Sequence, residues 1–382
     1  MEWGGISVDA AEENIEEVVD DDYEVLVSEK VLLDWAVDCL CKAGAEEGPA
    51  RTQAKILLAA DKRGHYSHGF NRLDIYCNDI ISGVCQPNNT PVVENDKLAA
   101  ALVDGRDGLG GVVGEYAMNV AIEKAKSTGV GWVTAKNSNH FGIAGHYSMM
   151  AERQGLIGFS FTNGSSWVTA TRSAGARVMS TNPIAFAAPG VEGDSVVVDM
   201  ATAAVAVGKI EIAAVTKQDL PHGWAVDGGG SVTTNPRTAL REGAGLPLGG
   251  LEETGGYKGY GLAMMIETLC GVMSGGTWGP NIRPWGNTDQ PGNLSHCFIV
   301  LDPAVCGTQF QARLQSMVDM FRNLEPSNPS KPVLVPGDPE RNNEKMVKDN
   351  GGVKYSKLQF QRFVGFSKKM EVECPKHTKI IL

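Results

Sequence analysis

The chain has 382 residues, 42% of them hydrophobic and 21% charged, with a net charge of −11. That length suggests about two domains and enough apolar material for a large core. The acidic balance excludes a general nucleic-acid or anionic-membrane binder, which needs clustered Lys and Arg, but it allows an anionic small molecule in a locally positive pocket. No run approaches the roughly 18 apolar residues of a membrane span. The eight cysteines form no CxxC pair and read as reduced thiols of a cytoplasmic protein.

Residues 1 to about 25 are rich in acid and read as a mobile extension, neither a signal nor a transit peptide. Ser28 opens a helix whose apolar face is Leu32, Leu33, Ala36, Val37 and Leu40, and Gly44 closes it. A second helix is predicted from about Pro49 to Asp61. The run Arg63-Gly64-His65-Tyr66-Ser67-His68-Gly69-Phe70-Asn71-Arg72 then gathers two histidines, a serine and two arginines. It reads either as a polar surface loop or as an anion pocket, since arginine presents a rigid fork to a carboxylate and His68 can move a proton.

A strand over Leu98 to Val103 leads to Gly108-Leu109-Gly110-Gly111-Val112-Val113-Gly114 and a helix through Lys126. This glycine run fails the dinucleotide fingerprint: the third glycine position is Val113, and the acidic residue expected about 20 positions on is absent. There is no GxxxxGK[ST] either, which excludes a P-loop ATPase.

Val130 to Lys136 is predicted as a strand and Ile143 to Gln154 as a helix stopped by Gly155. Between them lies Asn137-Ser138-Asn139-His140-Phe141-Gly142. A histidine at the end of a buried strand and the mouth of a helix is either a capping residue or a site, because ligands of open α/β sheets bind beyond strand ends and a helix start favours anions. Leu156 to Phe161 is a strand ending in Thr162-Asn163-Gly164-Ser165-Ser166. Thr181-Asn182-Pro183 is a similar junction, and a strand over Ser195 to Val198 ends in Asp199-Met200-Ala201-Thr202. Four such strand ends would line one sheet edge and suit a bound nucleotide.

Gly255-Gly256-Tyr257-Lys258-Gly259-Tyr260-Gly261 opens a helix carrying Leu262, Met265, Ile266, Leu269, Val272 and Met273, read as a buried core helix. Lys258 at its start suits a phosphate, or sits on a solvated turn. His296 to Leu301 reads as a strand, and Val333 to Val335 as a short buried strand running into Pro336-Gly337-Asp338. Residues 351–382 form a basic, aromatic tail with no assigned role.

Ser67-His68-Gly69 with Arg72, Asn137 to Gly142, Thr162-Asn163, Thr181 to Phe186, Asp199 to Thr202, Gly208-Lys209-Ile210, Gly223-Trp224-Ala225, Gly255 to Gly261 and Pro336 to Glu340 occur in order. Together they resemble the type-2 malate/L-lactate dehydrogenases, a group that includes ureidoglycolate and sulfolactate enzymes. The resemblance covers about residues 28 to 340. It implies a mixed-sheet α/β fold that binds NAD or NADP without a Rossmann domain, in one catalytic unit over 26–350 with its cofactor core at about 105–280. It also implies a homodimer and hydride exchange with a 2-hydroxy or 2-oxo acid, malate or oxaloacetate being favoured.

By the same resemblance, His140 and His68 are the acid/base residues, and Ser67, Arg72 and Asn139 bind substrate. Thr162, Asn163, Asp199, Met200, Ala201, Thr202, Lys258, Gly337 and Asp338 lie along the cofactor, with no metal. Two departures stand out. Ala203 replaces a serine, and Trp167 falls where small residues and a proline are usual, so Trp167 is expected to reshape the pocket. They motivate a second reading, a regulatory protein with weakened catalysis on the same scaffold. A third, a metal-dependent hydrolase using His65, His68, His140 and His146, is disfavoured because their spacings match no zinc motif.

Overall fold

The computed structural model describes residues 23–381; the acidic extension before Tyr23 lies outside them. The molecule is mixed α/β, built on a seven-stranded sheet. Its strands run in the order Val92–Asp96, Ala100–Asp104, Val130–Ser138, Leu294–Leu301, Ile157–Thr162, Ile184–Pro189 and Ser195–Met200. All neighbours are antiparallel except Ala100–Asp104 with Val130–Ser138. The helices Gly110–Thr128 and Ala144–Glu152 cover this sheet around Val113, Ala117, Ala121, Phe141, Tyr147 and Phe298. The sheet takes a central strand from beyond residue 290 and two edge-side strands from before residue 105.

The glycine run that fails the nucleotide fingerprint has another use. A Cβ on Gly110 would lie 2.2 Å from the carbonyl oxygens of both Asn139 and His140, and one on Gly114 would lie 2.5 Å from the Tyr147 ring. The missing side chains let the helix start press against the loop that carries His140.

A second layer joins the two ends of the chain. Ser28 caps the helix Glu29–Ala43 by accepting the Val31 N–H, and Gly44 ends it at φ 125°. This helix, with Glu47–Lys62 and Leu73–Ile81, packs against a three-stranded sheet of Val353–Ser356, Tyr23–Val27 and Thr378–Ile381. Residues 351–382, read as a tail, thus supply two strands and the helix Lys357–Met370, which starts in a Ser356/Gln359 capping box. Trp35 meets Phe70 and Phe363 at ring distances of 6.1 and 5.0 Å. The aromatic residues that seemed without purpose are core.

Two other expectations need correction. Val333 to Val335 forms no strand: Val335 is buried, Leu334 is exposed, and the Val335 N–H is taken by Asp338 Oδ2 at 2.9 Å. The helix Gly256–Glu267, which continues as a π-turn over Thr268–Val272, is only partly a core helix. Ile266 and Cys270 are buried, whereas Met264, Met265, Val272 and Met273 are exposed. A smaller five-stranded sheet, Val232–Thr233, Ala225–Val226, Ala244–Gly245, Val168–Thr169 and Arg177–Met179, holds a separate core around Trp167 and Ile210.

Candidate active site

Strand direction assembles the site. Val130–Ser138 and Ile157–Thr162 run one way and Leu294–Leu301 lies antiparallel between them, so Ser138, Leu294 and Thr162 reach the same edge. Ile184 pairs with both Phe161 and Met200, which adds Pro183 and Met200 to that edge. Thr181-Asn182-Pro183 is the start of a strand and not its end; antiparallel pairing brings it to the expected side.

A cavity of about 110 Å³ opens there, lined in part by Ser67, His68, Arg72, His140, Thr162 and Asn163. Six of the residues singled out in the sequence thus converge from three segments. The 63–72 run forms two 3₁₀ turns, Tyr66–His68 and Phe70–Arg72. The buried carboxyl of Asp61 seats the join between them: its Oδ2 accepts the Phe70 N–H at 3.2 Å and the Tyr355 hydroxyl at 2.6 Å. A Cβ on Gly69 would lie 1.7 Å from its Oδ1, so only glycine fits. Burial raises the Asp61 carboxyl to about 7, against the pull of both hydrogen bonds.

The His68 and His140 rings stack 5.7 Å apart. Ser67 Oγ lies 2.9 Å from His68 Nδ1, and Arg72 Nε donates to the Ser67 carbonyl at 2.8 Å. The Tyr76 hydroxyl is 2.5 Å from His140 Nδ1, and the Trp285 and His140 rings form a T-shaped pair with centroids 4.7 Å apart. Burial, reinforced by Arg72 and His65, lowers His68 to about 4. Burial, then His68 and Arg72, holds His140 well below the usual imidazole value. Both rings are therefore neutral near pH 7. Among the described residues no protein group bonds His140 Nε2, so this nitrogen is left for a ligand.

The remaining site residues of the sequence reading lie elsewhere. Asn139 is buried and donates to the carbonyls of Asp107 and Gly108, bracing the His140 loop. Asp199 accepts the Gly145 N–H at 2.9 Å; burial raises its carboxyl, with His65 opposing. Met200 is exposed, Ala201 is half-buried, and Thr202 Oγ1 bonds the carbonyls of Thr181 and Asn182. Lys258 is exposed over the Tyr257 ring. Gly337 precedes the helix Asp338–Asn350, and Asp338 pairs with Arg322 and Arg341, each at 2.6 Å. His65 turns to Glu340 at 3.8 Å and His146 to Glu115 at 3.0 Å, so the four histidines of the hydrolase reading do not share one centre.

Four residues of the site go unnoticed in the sequence. Tyr76 had one signal, its helical i+4 spacing from Arg72. His296 is fully buried on the central strand, with Ser138 Oγ at 2.7 Å on one ring nitrogen and Thr162 Oγ1 at 2.8 Å on the other. It joins the two strand ends and stacks on Phe141 at 4.5 Å. Trp285 and Asp61 had no local signal.

Paired neutral histidines, a guanidinium fork and strand-end hydroxyls thus share one cavity on a mixed sheet without a glycine-rich phosphate turn. The sequence profile described as malate/L-lactate dehydrogenase matches residues 27–363. The chain is 41% identical over 309 residues to the malate dehydrogenase of Pyrococcus horikoshii, covering 80% of this chain and 84% of that protein. It is 37% identical over 315 residues to the L-sulfolactate dehydrogenase of Methanocaldococcus jannaschii, covering 82% and 88%. The solved malate dehydrogenase structure from Pyrococcus horikoshii OT3 superposes with a TM-score of 0.84 at 35% identity, over 94% of this chain and 99% of that one. The chain belongs to the malate/L-lactate dehydrogenase family and is an oxidoreductase of hydroxy acids. The match extends past residue 340, where the motifs end, into the C-terminal helix.

Proposed function

We propose that the protein exchanges a hydride between NAD or NADP and a 2-hydroxy acid or its 2-oxo counterpart, with His140 moving the proton. The observation that carries this is the Tyr76 hydroxyl on His140 Nδ1, which leaves Nε2 of a neutral ring at the cavity. In oxidation, His140 Nε2 takes the proton of the substrate hydroxyl, starting from the neutral tautomer whose Nδ1–H donates to the Tyr76 hydroxyl oxygen; in reduction the ring returns it. Arg72 clamps the substrate carboxylate, with Ser67 and His68 beside it. The cofactor, when bound, accepts or supplies the hydride.

The cavity suits a nicotinamide end. Ser165, Ser180 and Thr181 offer hydroxyls next to apolar Pro183, Val207 and Leu294, and the Asn182 Oδ1 of the same segment is buried with no partner among the described residues. Gly208 keeps space open where a Cβ would lie 3.4 Å from the Arg72 guanidinium. Thr162 and Asn163 would hold the nicotinamide side, and Asp199 to Thr202 would continue along the edge. Lys258, Gly337 and Asp338 stay in this reading on the resemblance alone, since Asp338 already serves two arginines. On the resemblance alone malate leads the candidate substrates; the cavity, in which Arg72 is the one lining cation among the described residues, does not select it.

The reading includes a homodimer in the cytosol. Tyr257, Met264, Met265, Val272 and Met273 leave an exposed apolar face on one helix and its π-turn, of the kind a subunit interface covers. All eight cysteines are free thiols, as a reducing compartment keeps them. The regulatory alternative gains nothing: Ala203 is packed in a core, Trp167 belongs to the same core and also lines the cavity, as expected of it, and both histidines remain in that cavity. Oxidation of NADH and NADPH with a panel of 2-oxo acids tests the proposal. His140→Ala should cut kcat by at least a hundredfold; turnover indifferent to that change would overturn it.

A further inference from the structure

We infer that the substrate is a 2-oxo or 2-hydroxy acid with a single carboxylate and a compact apolar side chain, and that Trp285 sets the size of that side chain. The inference rests on the hydride-transfer reading and narrows it.

Charge decides the first part. Among the described residues that line the cavity, Arg72 is the one cation, and none is acidic. Its Nε is committed to the Ser67 carbonyl, and its Nη2 lies 3.8 Å from the Glu211 carboxylate. The fork has capacity for one substrate carboxylate. His68 and His140 add no charge near neutral pH, because burial keeps both rings unprotonated.

Arg283, two residues before Trp285, is already neutralised. Its Nη2 bonds Asp79 Oδ2 at 2.5 Å, and its Nη1 donates to the Asn287 carbonyl. Malate and oxaloacetate carry two carboxylates. The second would enter this cavity with no further cation among the described lining residues to meet it, and burying an unpaired charge is strongly unfavourable.

The wall decides the second part. Trp167, Pro183, Val207, Leu294 and Trp285 present apolar surface to the cavity. Trp285 is held from two sides. The Arg283–Asp79 pair ties its segment to the helix Leu73–Ile81, which also carries Tyr76. Ser165 Oγ donates to the Arg283 carbonyl at 2.8 Å and ties it to the loop after Asn163. A side chain on the substrate therefore meets a fixed indole ring beside the ring that moves the proton.

The test is steady-state reduction, with NADH and NADPH, of pyruvate, 2-oxobutyrate and 2-oxovalerate against oxaloacetate. The best monocarboxylate should exceed oxaloacetate in kcat/KM by at least tenfold, equal to about 1.4 kcal/mol. Oxaloacetate as good or better overturns the inference and leaves the hydride-transfer reading standing; no turnover of any of the four overturns both. Trp285→Ala and the milder Trp285→Phe are then compared on phenylpyruvate and pyruvate. The phenylpyruvate/pyruvate ratio of kcat/KM should rise at least tenfold in the alanine variant and less in the phenylalanine variant. Ratios unchanged in both would remove Trp285 from the role, since a purely structural loss lowers both substrates together.

Discussion

Replacing Asp61 by asparagine should change how stability depends on pH. The buried carboxyl rises from the usual 3.8 to about 7. Because the folded value is raised, the folded state binds more protons than the unfolded one between these limits. The contribution of Asp61 to stability is full below pH 3.8, falls as pH rises through about 7, and is level above. At 1.36 kcal/mol per unit the whole loss is roughly 4 kcal/mol, and about 3 of it falls between pH 5 and 8. Asparagine keeps an oxygen for the Phe70 N–H or the Tyr355 hydroxyl but does not titrate. Urea unfolding followed by tryptophan fluorescence at pH 5, 6, 7 and 8 gives the comparison. The variant should gain on the wild type by about 3 kcal/mol from pH 5 to 8, because the depressed histidines act alike in both proteins and cancel. Parallel pH curves would refute the burial argument.

Three other changes test the remaining links. Tyr76→Phe removes the hydroxyl at His140 Nδ1 and should lower kcat roughly ten- to a hundredfold while KM stays within about threefold, read from initial rates. Gly110→Ala drives a Cβ into the Asn139 and His140 carbonyls; it should cost about 1–3 kcal/mol by urea unfolding and lower kcat, and wild-type kcat would show that this close approach is not needed. Met273→Glu puts a charge on the exposed apolar face and should turn a dimer into a monomer by light scattering; a wild type that is itself monomeric would remove the interface.

Elements governed by near neighbours were legible in the sequence. Ser28 and Gly44 bound their helix because capping and left-handed termination are local. The strands that end at Ser138, Thr162 and Met200 were legible because buried β segments interrupted by polar residues mark sheet edges. The converging histidines were legible only through the motif series, since spacing alone left His140 an ordinary helix-mouth residue. What escaped was set by distance along the chain. Tyr76 meets His140 across 64 positions, and Asp61 meets Tyr355 across 294. Val335 was misread because a buried valine in an apolar run resembles a strand, whereas its N–H is satisfied by a side-chain carboxylate and not by a ladder.

The contact from Asp61 to Tyr355 also gives the C-terminal segment a part in the site. Val353–Ser356 closes on Tyr23–Val27, pairing Tyr355 with Val25. That fixes the Tyr355 ring against Phe363 at 5.0 Å and delivers its hydroxyl to Asp61. Asp61 in turn holds the Phe70 N–H and packs on Gly69, one residue from His68. A basic aromatic stretch that looks like an appendage is therefore joined to the loop that carries Ser67, His68 and Arg72 by one strand pairing and two hydrogen bonds. A perturbation of the terminal sheet reaches the site through this path, and it should move His68 and Arg72, which hang from the seated loop, more than His140, whose loop is braced separately by Asn139 and Gly110.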